Sequence, residues 1–272
     1  MCLPRISIVT ISFNQAEFLP FAIESVLSQD YDNLQYIVVD PGSADGSRDI
    51  IHEYSDRIGR VLLDPDHGPA DGLNKGFAAA DGEIFGYLNA DDVLLRGALS
   101  KIAPYFIRFP GADVISGHCL IIDRDGNTLR ESYSDVFHQT SVLHRAASLM
   151  QPSSFFRRSI YENTDGFNVN NRLDWDAELF VDLHAAGATF RLCNEMLSGY
   201  RIYPSTVTSE RRNRLFLDEA SKQLLEQKSG RQWAWYDHLV RWGCLVMKYV
   251  SEPRWIRERL LRGRVAGRFD SS

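Results

Sequence analysis

The chain has 272 residues, of which 44% are hydrophobic, 24% charged and 11% aromatic, and its formal net charge is −6. That makeup fits a globular protein with a sizeable core and excludes a disordered, collagen-like or coiled-coil chain. The negative balance also argues against a surface built for nucleic acid. The charge is unevenly divided: residues 1–210 carry 16 Lys and Arg against 29 Asp and Glu, and residues 211–272 carry 14 against 7. An acidic body is therefore followed by a basic tail.

Ile6 to Ile11 is a β-rich run that enters a Ser12-Phe13-Asn14 turn. Phe18, Ala22, Ile23, Val26 and Leu27 then recur at helical spacing. Tyr36 to Asp40 predicts a second strand, closing on the loop Asp40-Pro41-Gly42-Ser43-Ala44-Asp45-Gly46-Ser47. Ser47 is placed to cap a helix carrying Ile50, Ile51 and Tyr54. Arg60 to Leu63 predicts a third strand, and Asp71 to Ala80 a helix closed by Asp81-Gly82. Ile84 to Leu88 predicts a fourth strand running into Asn89-Ala90-Asp91-Asp92. Strands alternating with helices at this spacing predict βαβ units in a mostly parallel, Rossmann-like α/β sheet flanked by helices.

Further on, Leu99 to Phe109 reads as a helix, and residues 113–117 and 120–123 as two strands. Arg124-Asp125-Gly126-Asn127 is a hairpin-type turn. Trp175 to Ala186 predicts a helix ended by Gly187, and residues 214–250 a helical stretch rich in Leu, Trp and Tyr. The Arg-rich stretch from Arg254 is expected to be partly disordered. Cys2, Cys119, Cys193 and Cys244 form no CxxC pair, which suits a reducing compartment. No apolar run approaches the ~20 residues of a membrane span. Met1 to Arg5 leads straight into the first strand without the apolar core of a signal peptide. The expectation is a cytoplasmic protein.

In an open α/β sheet, ligands bind beyond the carboxyl ends of the strands. Two acidic clusters fall there: Asp40, and Asn89-Ala90-Asp91-Asp92. A carboxylate at the first can accept from a base N–H or a ribose hydroxyl. Carboxylates at the second can hold a hard divalent cation that bridges to phosphate oxygens.

These segments together resemble the family 2 glycosyltransferases, inverting enzymes with the GT-A fold, over about residues 5–205. Ile8 to Asn14 resembles the family's opening strand and turn, and Val39 to Ser47 its second-strand motif. Asp71-Gly72-Leu73-Asn74-Lys75-Gly76 is similar to its Asp-Ala-x-Asn-Lys-Gly helix, and Leu88 to Asp92 to its Asp-x-Asp region. The resemblance implies a nucleoside-diphosphate-sugar donor, UDP by default, and a glycan or lipid-linked glycan acceptor in surface polysaccharide assembly. It implies that Phe13 flanks the base with Ile11 close by, that Asp40 accepts from the base, and that Asp71, Asn74 and Lys75 line the donor. Asp91 would ligate Mn²⁺ or Mg²⁺, with Asp92 beside it, and Asn89 stands where the strict motif has its first Asp. Leu173 to Leu179 resembles the segment that carries the general base, which matches Asp174, with Asp176 as runner-up. Trp175 could stack on a sugar, and Gln151 to Arg157, with Ser153, resembles the acceptor-side strand. Tyr203 stands where many relatives have the His of Arg-x-His-Pro. Donor half, acceptor half and tail would then span about 1–95, 96–210 and 211–272.

Plainer roles exist for several of these residues. Asp91 and Asp92 could cap a helix, Asp40 could be turn chemistry, and Asp174 could cap the helix that follows. Lys75 could be simply solvated, and His67 reads as an exposed loop residue. A nucleotidyltransferase is the rival enzyme, although its Gly-rich, basic loop is missing after the first strand. A non-catalytic sugar-nucleotide-binding or scaffold protein is the rival from another class. In the tail, Trp233, Trp235, Tyr236, Trp242, Tyr249 and Trp255 alternate with arginines. That pattern suits either peripheral contact with an anionic membrane at its inner face or a helical lid completing the core.

Overall fold

The computed structural model describes residues 3–172, 174–204 and 211–263, the last segment with side chains from Glu219 onward. Its first half is built from β1 (Ile6–Ile11), α1 (Leu19–Leu27), β2 (Leu34–Val39), α2 (Ser47–Glu53), β3 (Arg60–Leu62), α3 (Pro69–Ala78) and β4 (Ile84–Asn89). Then come β5 (Val93–Leu94), α4 (Ala98–Arg108), β6 (Val114–Ile122), β7 (Thr128–Ser132) and α5 (Gln139–Leu143). A 3₁₀ turn at Gln151–Ser153 leads into β8 (Ser154–Arg157), α6 (Arg158–Tyr161), α7 (Trp175–Ala185) and β9 (Phe190–Arg201). Three helices follow: α8 (Arg211–Ser229), α9 (Asp237–Ser251) and α10 (Arg254–Arg262).

All nine strands form one mixed sheet in the order β3-β2-β1-β4-β8-β6-β9-β5, with β7 on β6. The expected parallel pairing holds from β3 to β4. Antiparallel pairing enters where β8 joins β4 and β6. Both faces of the parallel half are covered, so its strands are apolar throughout rather than alternating. Ile6, Ile8, Tyr36, Val38, Ile84 and Leu88 pack toward α1 and α4. Val9, Ile37, Val39, Phe85 and Tyr87 pack toward α3 and α7. Gly76 lets α3 lie directly on β1, because a Cβ there would come within 2.4 Å of Val9 Cγ1.

Four local expectations change. Residues 113–123 form one strand, β6, not two. Its Gly117 admits the Leu197 side chain, which a Cβ would meet at 2.5 Å. Ser47 does not cap α2; it is the first helical residue, and Gly46 at φ +99° holds the cap position. The stretch 214–250 is not one helix but two, parted at Gly230, which has φ +70°. From Arg254 the chain is helical to Arg262. Among the described residues, no helix is long and apolar enough to cross a membrane.

Candidate active site

The register of the parallel strands sets Ile11 opposite both Val39 and Asn89. Three strands therefore end at one level, and the loops after them emerge side by side. The loop after β2 is locked onto the loop after β1. Ser43 Oγ accepts the Asn14 N–H at 2.8 Å, Asp45 accepts the Ala16 N–H at 2.8 Å, and Ser47 Oγ accepts the Gln15 N–H at 3.1 Å. Asn14 sits at φ +52° and its side chain accepts the Ala44 N–H. This clamp holds Phe13 out of the body, 60% exposed.

Asp91 and Asp92 follow β4. The chain next forms the strand β5, not a helix, so the capping role falls away. Asp91 Oδ2 accepts the Tyr203 hydroxyl at 3.1 Å. Asp92 is buried; its Oδ1 accepts the Arg201 N–H at 2.9 Å. Its Oδ2 has no hydrogen bond of good geometry, although Asn89 and Arg201 lie close enough to temper its charge. Burial raises the Asp91 pKa above the usual carboxylate range despite the Tyr203 hydroxyl. Burial and the Asp91 charge push Asp92 well above it. The Arg201 guanidinium does not quench the pair directly. It holds the backbone carbonyls of Asp91, Asp123 and Arg124. Two adjacent carboxylates with little compensation fit a hard cation held by one or two carboxylates and completed by substrate oxygens. Among the described residues, no group of three or more His, Cys, Asp or Glu forms a metal cage.

A cavity of about 940 Å³ opens in front of these loops, with Ile11, Phe13, Pro41, Asn89 and Asp91 on one wall. Asp174, Trp175 and Asp176, at the head of α7, form another, and Arg145, Gln151 and Arg172 also line it. Trp175 is held by Tyr87 and Phe167, with ring centroids 5.8 and 5.5 Å away. Asp174 occupies the N-cap position of α7 without a side-chain capping bond. Its Oδ2 instead accepts the Ser221 hydroxyl of α8 at 3.1 Å. Burial, and then the Asp174 charge, push the Asp176 pKa up to about 6.

Several expected donor contacts stand behind this wall. Asp40 is fully buried and does not line the cavity. It accepts N–H bonds from Gly42 and Ser43, the Ser43 hydroxyl at 2.6 Å and Arg48 at 3.2 Å. Burial would raise its pKa, but these donors outweigh that and hold it below the usual range. Asn74 is likewise spent: its amide donates to Phe167 O and accepts from Phe167 N–H and the Tyr161 hydroxyl. Asp71 accepts the His67 N–H and pairs with Lys75, whose ammonium reaches Pro65 O at 2.6 Å. Asp71 and Lys75 thus brace the loop whose Asp66 and Gly68 do line the cavity. Ser153 is buried against His118 O and Ser198, leaving its neighbours Gln151 and Pro152 at the wall. Asp92 too lies outside the lining. Sequence reasoning missed Arg145, Arg172 and Ser221. Arg145 adopts φ +51°, which no residue pattern announces, and Ser221 belongs to the tail.

The model of glycosyl transferase family 2 matches residues 7–165. An uncharacterised glycosyltransferase of a Nostoc species is 29% identical over 73% of this chain and 65% of its own length. A putative teichuronic acid biosynthesis glycosyltransferase of Bacillus subtilis is 26% identical over 76% of this chain and 83% of its own. A GalNAc(5)-diNAcBac-PP-undecaprenol β-1,3-glucosyltransferase of Campylobacter jejuni is 30% identical over 59% and 54%. The chain thus spans less than two thirds of the Nostoc and Campylobacter proteins. Among solved structures, a Pyrobaculum calidifontis mannosyltransferase in complex with GDP-Man and Mn²⁺ superposes with TM-score 0.67 and 18% identity, over 94% of this chain and 76% of that one. S. aureus TarS in complex with UDP superposes with TM-score 0.63 and 14% identity, over 96% and 76%. These likenesses give the fold, which is GT-A.

Proposed function

The chain belongs to glycosyl transferase family 2, and on that premise we propose that it moves a sugar, with inversion, from a nucleoside-diphosphate-sugar to an acceptor hydroxyl. The observation that carries this reading is a single cavity with Asp91 on one wall and Asp174 on another. Residues 1–210 would carry the transferase and residues 211–272 extend it. Phe13 offers an exposed ring against the base beside Ile11 and Pro41. Asp91, backed by Asp92 and oriented by Tyr203, would hold Mn²⁺ or Mg²⁺. A divalent cation there neutralises the charge gathering on the departing diphosphate. Asp174 takes the acceptor hydroxyl's proton as that oxygen attacks the anomeric carbon from the opposite side. Ser221 donates to Asp174 and fixes its orientation. Trp175 offers a ring for the sugar.

UDP and GDP-Man in the structural neighbours support a nucleotide-sugar donor, with UDP the first to try. Relatives named for teichuronic acid and for an undecaprenol-linked glycan support an acceptor from surface polysaccharide assembly, lipid-linked, at the cytoplasmic face of the membrane. The test is a thermal-shift panel of UDP-, GDP- and dTDP-sugars with and without Mn²⁺. A donor at about 100 times its Kd adds about 2.7 kcal/mol of apparent stability. The reading expects one nucleotide class to raise the unfolding temperature only when Mn²⁺ is present. No shift with any of them would reject it.

A further inference from the structure

A helix on the surface of a globular domain ordinarily turns its apolar stripe to the core and its charges to water. α9 does the reverse. Asp237 is fully buried, where it accepts from Arg231 at 2.6 and 2.7 Å, from the Ala234 N–H at 2.8 Å, and contacts His144 Nε2 at 2.9 Å. Three turns on, Lys248 donates to Ser148 Oγ at 2.7 Å and pairs with Asp135 at 3.0 Å, its ammonium 4.2 Å from the centre of the Trp255 ring. These polar anchors fix the rotation of the helix. Rolling it to bury its apolar side would strip buried charges of their partners.

The outward side holds Leu239, Trp242, Val246 and Val250, spaced three or four residues apart in one stripe, with Met247 beside it. Their exposures run from 41% to 70%, and Trp235, just before the helix, reaches 76%. α10 repeats the arrangement. Trp255 packs inward on Tyr133 and Glu258 is buried, while Ile256, Leu260 and Leu261 are 43%, 80% and 67% exposed. Of the sixteen large hydrophobic residues exposed among the described residues, ten fall between Trp235 and Leu261. Scattered exposed hydrophobics are ordinary, but such a concentration marks an interaction surface.

Charge selects the occupant. Among the described residues from Arg231 on, the carboxylates Asp237, Glu252 and Glu258 each face an arginine of their own: Arg231, Arg254 and Arg262. Arg257 and Arg259 stand exposed beside the apolar residues of α10. A two-fold contact between copies of this chain would set that basic face against itself. An anionic lipid surface complements it, and Trp and Tyr at the start of α9 suit the headgroup layer. We propose that the outward faces of α9 and α10 form a docking surface for an anionic lipid leaflet, lying in its interface without crossing it. α9 is bonded through Lys248 to Ser148, which lines the cavity. Docking there would hold the cavity wall next to the membrane, a use that rests on the proposed lipid-linked acceptor. The binding itself does not.

The experiment is sedimentation of the full chain with vesicles, without donor or acceptor. Phosphatidylcholine vesicles containing phosphatidylglycerol should carry the protein down at low salt and release much of it at high salt, and pure phosphatidylcholine should carry far less. A Leu239→Gln, Trp242→Gln, Met247→Gln variant should bind about tenfold more weakly or worse, with an unchanged thermal midpoint. Arg257→Glu with Arg259→Glu should erase the preference for phosphatidylglycerol. Wild-type protein left in the supernatant overturns the proposal, and so does a triple variant that sediments like wild type. A wild-type dimer that the triple variant dissolves gives the face to a second copy and also overturns it. Should the triple variant not fold, brominated-lipid quenching of wild-type tryptophan emission decides: quenching supports docking, and none overturns it. Vesicle binding without any sugar transfer would count against the proposed activity alone, and transfer to a short acceptor without vesicle binding against docking alone.

Discussion

Residues 6–94 and residues 231–262 obey the same physical rule with opposite results. In the first region, apolar side chains of β1, β2 and β4 fill both faces of the sheet, and the polar groups gather where the strands end. In the second, the helices meet the body through Asp237 and Lys248 and leave Trp242 and Leu260 to solvent. Burial admits a charge only when it is paired. Pairing makes the inner face of α9 a polar one and turns its apolar stripe outward. An apolar stripe in a sequence therefore locates a helix face but not the side on which the core lies. The two regions meet at Asp174, a cavity residue of α7 that bonds Ser221 of α8.

The sharpest break of this comparison comes at that junction. Asp174→Asn keeps size and loses basicity, so transfer should fall by about 10²–10⁴-fold while donor affinity persists; Asp176→Asn should be milder, and a swapped ranking in a transfer assay moves the base to Asp176. Within the body, Phe77 packs on Phe85 at 4.8 Å and on Phe156 at 5.6 Å. Phe77→Ala should cost about 3–5 kcal/mol in urea unfolding.

A smaller effect follows from Asp176. Its folded pKa, pushed up to about 6, exceeds the unfolded value. The folded state therefore holds the proton more tightly. That stabilisation is full below about pH 4 and is lost as pH rises through about 6. Relative to wild type, Asp176→Asn should gain stability on the order of 2 kcal/mol between those limits and stay level above them. A flat difference in denaturation across that range would remove the burial argument. At the other extreme, Trp242→Gln in the outward stripe should change stability by less than about 0.5 kcal/mol. A loss as large as that of Phe77→Ala would mean that this face is core.

Much of the donor side was legible because its signals are local. Apolar runs ending in Ser12, Asp40 and Asn89 predicted where the loops would converge, and the register of β1 with β2 and β4 brings them level. What escaped depends on distant partners. Asp40 carried the right residue type at the right strand end, yet Ser43 and Arg48 consume its lone pairs. Asn74 sits on the expected helix but rivets it to Phe167, 93 residues away. β9 was not predicted because Arg191, Asn194 and Glu195 interrupt its pattern. One of these, Arg191, lies over the Phe109 ring, 4.2 Å from its centre. The inward charges of α9 could not be told from solvated ones without Asp135 and His144 opposite them.

The account rests most heavily on Asp91 as the residue through which a divalent cation and the donor are held. Calorimetric titration of a nucleotide-sugar donor into wild type and Asp91→Ala, each with and without Mn²⁺, tests it directly. The account predicts Mn²⁺-dependent binding to wild type and its loss in Asp91→Ala, with the thermal midpoint of the unliganded variant preserved or raised, because the substitution removes one of two crowded carboxylates. Undiminished Mn²⁺-dependent binding in Asp91→Ala would contradict it.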